Sequence, residues 1–431
     1  MKGRSAVRLA AAAALLPALV LVACSGGSSS GPDGGVDSGT GDSDADADSD
    51  ADADGDADTD ADTEQDSGVL SCPAETDAGP WEWEDQPEGE DCGPGCEQVT
   101  FSQEVRAKYW DMWDNLLVYV DDETRRLWLV DMDERKQMKI PAINPELAPE
   151  APPVTNSPYW PAIFQDKVLH GWSTSYQVPE ITQRNVIFDM TELILRVVAD
   201  HSGMFHDIYG DVHVYEGKSQ EEENDEPRVF LARESEPCEA EVIAEDYCVS
   251  CGIWENMVVW VGELTESSSI SDVRAYDLET EEFIDVTSDD YYQMWPKIHG
   301  RKIVFHDLRF GDNNPLGNWN HSAVFLYDLD TEETIQITSG DWVACYPDVH
   351  DEIVVWADYR ACDEPNNAYN FSCAEIWGYN LSTEQEFQVT DLPGRAKQTP
   401  RIWGDKVYVH MMKEDPSEDA IYRFDLPPEA R

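Results

Sequence analysis

The chain has 431 residues, 41% of them hydrophobic, and a formal charge of −60 from 29 Lys and Arg against 89 Asp and Glu. So acidic a balance excludes nucleic acid and an anionic lipid surface as partners, since both need a positive face. Cations, basic proteins and neutral sugars stay open as ligands, and the length allows a large core beside low-complexity segments.

Residues 1–24 read as a targeting segment. Lys2, Arg4 and Arg8 precede an apolar run from Leu9 to Val22, which is too short for a stable membrane span. The run ends in Leu21-Val22-Ala23-Cys24, which resembles a bacterial lipobox. The resemblance implies that Cys24 is lipidated and that the chain is held in the cell envelope, on the outer membrane or cell surface, through that anchor alone. Ordinary secretion with an unlipidated Cys24 is the other reading.

Residues 25–68 form a tether. Ser25 to Asp66 holds 14 Asp and one Glu with no Lys or Arg and almost nothing to bury, so disorder is expected. Asp50-Ala-Asp52-Ala-Asp54-Gly55 superficially matches the start of a calcium loop, but Ala61 stands where the bidentate Glu belongs. Ca²⁺ is the one cofactor this stretch suggests, and the expectation is that the chain carries none. Residues 69–96 add Cys72, Cys92, Cys96, Trp81 and Trp83, which suit a stapled extension packed on the domain that follows.

From residue 97 the chain repeats itself. Pro296 to Arg309 (PKIHGRKIVFHDLR) aligns without a gap on Pro347 to Arg360 (PDVHDEIVVWADYR), and Pro161 and Pro400 open shorter copies. A second module follows: AYDLETEEFIDVTS from Ala275, LYDLDTEETIQITS from Leu326 and GYNLSTEQEFQVTD from Gly378. Short β-branched and aromatic runs between turn residues read as antiparallel strands. Seven units of roughly 45–54 residues with four strands each predict an all-β, seven-bladed β-propeller over residues 97–431. Blade seven lacks a fourth strand after Leu426, and Glu97 to Phe101 resembles Glu386 to Thr390. The N-terminal strand is therefore expected to close the ring, which would otherwise leave an open edge.

The Pro-x-Ile-x-Gly/Asp-x-x-Val-Val-Trp-x-Asp-x-Arg pattern, followed by Tyr-Asp-Leu-x-Thr and Ile-Thr, resembles the TolB-type (WD40-like) β-propeller repeat. It covers residues 97–427, although in blades one to four only blade two keeps the leading Pro. The resemblance implies a fold that serves most often as a binding platform and in some cases as an enzyme.

Candidate site residues follow from the repeat. One position, at the turn between first and second strands, is Trp113, Phe164, Tyr209, Trp254, His299, His350 and Trp403 in successive blades. It reads as packing between blades or as a ligand ring in the channel. Asp307/Arg309 and Asp358/Arg360 follow the second strands of blades five and six and read as pairs that pin the outgoing loops, or as ligand-facing groups. Loops between second and third strands share one face by alternation of strand direction. They carry Trp172, Trp319, His321, Tyr369 and Asn370, aromatic and amide groups that suit sugar stacking or a protein patch.

Ten cysteines leave an odd number once Cys24 is set aside. Cys362 and Cys373 bracket one inter-strand loop and are the expected disulfide. Cys92 pairs with Cys96 or Cys72, and Cys238 with Cys248 or Cys251. No metal site is expected: Cys248-x-x-Cys251 lacks a second ligand pair. No HExxH, GxSxG or phosphate-cradling loop is present, so no catalytic residue is named. The expected function is non-catalytic binding of an envelope or extracellular protein or glycan by a monomeric platform. The alternative is a polysaccharide-degrading lyase or glycosidase.

Overall fold

The computed structural model describes residues 74–77, 82–90, 92–101, 109–121, 126–140, 159–173, 183–199, 206–217, 228–245, 249–262, 271–311, 321–363, 373–392, 394–412 and 419–431. Seven antiparallel sheets follow one another around a ring. Blade one runs Trp110–Trp113, Leu116–Asp121, Arg126–Asp131 and Lys136–Ile140, and the later blades repeat that order. Second strands are the most buried, as in Met257–Gly262 and Ile353–Asp358, where every residue is inside. Their Val, Ile and Trp side chains pack on both neighbouring blades, which is why the runs are nearly continuous in apolar residues rather than alternating.

Turn chemistry explains the second repeated module. Asp131, Asp189, Asp277, Asp328 and Asn380 each end a third strand, and one side-chain oxygen accepts the backbone N–H groups two and three residues on. This local bond closes the turn into the fourth strand. Two residues past the fourth strands of blades four to six stand Thr287, Thr338 and Thr390, whose hydroxyls accept the N–H of Val273, Val324 and Ile376 on the adjacent third strand.

The ring closes as the sequence predicts. Cys96–Gln98 pairs antiparallel with Ala420–Asp425 as the fourth strand of blade seven. Thr100 then accepts the N–H of Ile421 at 2.9 Å, as the other fourth-strand threonines do. Gln98 Nε2 donates to the Thr100 carbonyl, as Gln336 does to Thr338 and Gln388 to Thr390.

First strands are longer than their leading proline suggests. Blade six starts at Ala344 and blade seven at Ala396, not at Pro347 and Pro400. The residue before each proline sits in a β-bulge with positive φ: Trp160, Trp295, Tyr346 and Thr399. The proline, which has no N–H to give a ladder, is tolerated inside the strand because the bulge interrupts pairing there.

The extension packs on the ring. Ala74–Asp77 adds a fifth strand to blade two and Glu84–Asp85 one to blade one. Arg196 ties the first of these down through Glu75, at 2.7 Å, while also holding Glu234 of blade three. Cys92–Cys96 and Cys362–Cys373 are disulfides, Cys238 and Cys251 are both disulfide-bonded, and Cys345 is a buried thiol. Cys24, the lipobox and the tether lie outside the described residues.

Candidate functional site

The channel is closed at one end by the repeated aromatic position. Ring centroids lie 4.3 Å apart for Trp113–Phe164, 4.5 Å for Phe164–Tyr209, 5.2 Å for Tyr209–Trp254 and 4.0 Å for Trp254–His299. The circuit is completed by His299–His350 at 4.2 Å, His350–Trp403 at 4.8 Å and Trp403–Trp113 at 4.6 Å. Trp113 also reaches Trp254 across the ring at 5.6 Å. Seven side chains in continuous contact form a floor, so packing between blades is what this position does. It lies at the turn between first and second strands, on the face opposite the long loops.

Two residues back along each first strand is a layer the sequence reading missed: Asp111, Ala162, Asp207, Gly252, Lys297, Asp348 and Arg401. Each Asp accepts a backbone N–H from the next blade, Asp111 from Ile163 at 3.1 Å, Asp207 from Ile253 at 2.9 Å and Asp348 from Ile402 at 2.9 Å. Arg401 Nε lies 3.9 Å from Asp111. Burial raises the Asp207 carboxyl to about 6, helped by the neighbouring charge of Asp111, and burial also raises Asp111. Burial lowers the Lys297 ammonium from its usual value, and Arg401 adds to the effect. The signal for this layer was available, as charged residues recur at an inward position of otherwise apolar strands.

On the loop face, Asp307 and Asp358 are fully buried. Arg309 donates to Asp307 at 2.6 Å and to Asp289 at 3.0 Å, and its guanidinium lies 4.5 Å from the Phe325 ring centre. Arg360 grips Asp358 with two bonds of 2.8 and 2.7 Å and Glu386 with two of 2.6 and 2.8 Å, while lying 4.0 Å from the Trp377 ring centre. Trp356 Nε1 donates to Asp358 at 2.7 Å from below. Asp307, Asp358 and Arg360 are therefore matched at the roots of their own loops, while Arg309 bonds both its acids through one terminal nitrogen and its Nε is buried without a hydrogen-bond partner.

These pairs stand at the roots of the two long loops. His321 is at one root, its Nδ1 3.1 Å from the carbonyl of Phe310 at the other, so the pair closes loop 312–320. Trp319, Tyr369 and Asn370 lie outside the described residues, and Trp172 is in the second strand of blade two, Lys167–Ser173. The Cys362–Cys373 disulfide closes the root of loop 364–372. Two further aromatics, not singled out from the sequence, stand beside Arg309: Phe310 is 47% exposed and Tyr291 40% exposed. The guanidinium lies 5.5 Å from the Tyr291 ring centre.

Neither a protein-family profile nor a curated protein matches this sequence. Among solved structures the chain is similar to oligogalacturonate lyase from Vibrio parahaemolyticus, with a TM-score of 0.52 and 11% identity over 83% of this chain and 100% of that one. It is also similar to the β-propeller domain of the trilobed protease from Pyrococcus furiosus (TM-score 0.48, 14% identity, 63% and 83% covered) and to TolB from Acinetobacter baumannii (0.37, 11%, 70% and 59%). At such identities a likeness speaks of architecture and not of chemistry. The chain is a seven-bladed β-propeller of four-stranded antiparallel blades, closed by its N-terminal strand.

Proposed function

We propose that this chain is a lipid-anchored binding platform of the cell envelope, which offers the loop face of its propeller to a protein or glycan partner without turning it over. The observation that carries the reading is the patch at the root of the blade-five loop. Phe310 and Tyr291 are exposed beside an arginine that is paired with Asp307 and Asp289. Exposed rings on a rigid, charge-neutralised base suit contact. The reading adds Trp319, His321, Tyr369 and Asn370, which the sequence assigns to the two loops, as contact residues, and Cys24 as the anchor.

The test is a pull-down from the native envelope and a glycan screen with the purified mature chain. Phe310→Ala, and Trp319→Ala combined with Tyr369→Ala, should each abolish capture with the melting temperature nearly unchanged. Capture that survives both changes would move the site off this face, and turnover of a captured glycan would replace binding by catalysis. Cys24→Ser should release the protein from membranes; its continued fractionation with them would remove the anchor from the proposal.

A further inference from the structure

We propose that His299, His350 and Asp351 bind a divalent transition-metal ion on the face opposite the long loops, independently of the binding face. The one ligand atom each residue offers lies within 4.8 Å of the others. His299 Nδ1 is 3.8 Å from one Asp351 carboxylate oxygen, and His350 Nδ1 is 3.5 Å from the other. A tetrahedral ion bonded at about 2.0–2.2 Å sets its donors about 3.3–3.6 Å apart, so the two imidazole–carboxylate distances are near that spacing and the group as a whole must draw in around the ion. The Asp351 side chain is 75% exposed and can close the difference by a rotamer change.

The two histidines depart together from what the repeat supplies elsewhere. The floor position is Trp, Phe or Tyr in blades one to four and seven, and imidazole only in the adjacent blades five and six. A phenyl ring would fill the slot equally well; an imidazole adds a lone pair. The next position takes a left-handed backbone in every blade; it is Gly210, Gly300 and Gly404 in blades three, five and seven, and an acid at Asp114, Glu255 and Asp351 in blades one, four and six. Of these acids, only Asp351 stands beside the two imidazoles of the floor.

The surroundings hold both imidazoles in place. Trp254 packs on His299 at 4.0 Å and Trp403 on His350 at 4.8 Å, so neither ring must be ordered when an ion arrives. The backbone N–H of Asp351 donates to His299 Nδ1 at 3.1 Å, which directs that lone pair at the turn and not into the channel. Coordination exchanges this hydrogen bond for a metal bond. Two imidazoles and one carboxylate are borderline donors, which favour Zn²⁺, Co²⁺, Ni²⁺ or Cu²⁺ over Ca²⁺ or Mg²⁺. Three protein ligands leave at least one position for water or for a donor from outside.

The test is calorimetric titration of the mature full chain with Zn²⁺ in excess Mg²⁺, which occupies the carboxylates of the Asp-rich segment. One Zn²⁺ per chain is expected, and Co²⁺ in its place should give a visible absorption band. His299→Phe and His350→Phe restore the ring that other blades use, and Asp351→Gly restores the turn residue of blades five and seven, so folding should survive. Each histidine variant should lose the site and Asp351→Gly at least tenfold in affinity. The proposal is overturned if the unsubstituted chain binds no Zn²⁺ at tens of micromolar, or if His299→Phe and Asp351→Gly bind it as well as the unsubstituted chain does.

Discussion

Thr100 Oγ1 accepts the backbone N–H of Ile421 at 2.9 Å across 321 residues of sequence. The same bond closes blades four to six internally, so one hydroxyl position just past the fourth strand holds each blade and, in blade seven, joins the two ends of the domain. Val99, 3% exposed, is buried beside it.

Thr100→Val should cost about 1–2 kcal/mol, since it leaves a buried N–H without an acceptor. Thr338→Val should cost about the same, being the same bond in blade five. Deleting Glu97 to Ser102 should go further and destabilise the whole ring, whereas deleting Ser25 to Asp66 should leave the melting temperature nearly unchanged. Thermal melts of the four variants check this, and equal effects from the two deletions would refute closure by the N-terminal strand.

Arg360→Ala should lower stability by about 3 kcal/mol, the order expected when one partner of a buried pair is removed. Asp358 is fully buried and would keep only its tryptophan and backbone donors. Arg360→Lys should recover little, because an ammonium cannot grip Asp358 and Glu386 with paired bonds. Urea denaturation reads both, and a lysine variant as stable as the arginine chain would show that the fork geometry does not matter.

The elements the sequence displays most clearly are those the ring itself requires. Asp328 and Asn380 close turns by bonds two and three residues away, so their spacing is a local fact and shows as a repeat. The Asp-x-Arg pairs are equally local. The charged layer of Asp111, Asp207, Lys297, Asp348 and Arg401 is not, since its members meet across the channel from five blades and differ in type from one blade to the next. Phe310 and Tyr291 were hidden for a similar reason: exposure at one loop root depends on how two connections 19 residues apart come together. The prolines were visible but misled about strand starts, because the bulge before each depends on pairing with the second strand.

Reducing Cys362–Cys373 should destabilise the chain by roughly 3 kcal/mol on the loop-entropy account, as the bond closes an excursion of 11 residues. Cys362→Ser with Cys373→Ser should show the loss in a thermal melt, and non-reducing peptide mapping should recover the two as one cross-linked pair. Mapping should also return Cys345 as a thiol protected from alkylation until the protein unfolds, because it is only 1% exposed.

The last prediction concerns acid. His213 is fully buried, and neither ring nitrogen has a hydrogen-bond partner. Burial lowers its pKa to about 3, with the nearby His206 adding to the effect. Unfolded, the same imidazole titrates near 6.5. Between those values the unfolded chain binds more protons than the native one, so this contribution to stability is complete above pH 6.5 and is lost as pH falls. His170 and His206, lowered to about 4, and His306, lowered to about 3, all chiefly by burial, act in the same direction. Asp207 opposes them: its native pKa of about 6 lies above the unfolded value, so its contribution is largest below pH 4 and is lost as pH rises through 6. Asp111, also raised by burial, acts with Asp207, while His299 and His350, lowered by burial, act with the other histidines; the histidines outnumber the acids, so the domain should lose stability from pH 6.5 toward 4. The repeat offers a clean variant, because the position of His213 is Leu117, Val168, Val258, Ile303, Val354 and Val407 in the other blades. His213→Leu should raise stability at pH 7 by about 1–2 kcal/mol by removing unsatisfied buried nitrogens, and should make the acid loss shallower. Urea midpoints at pH 7 and 4.5 decide the matter: a variant whose midpoint falls as steeply as that of the unsubstituted chain would show that His213 does not drive the acid limb.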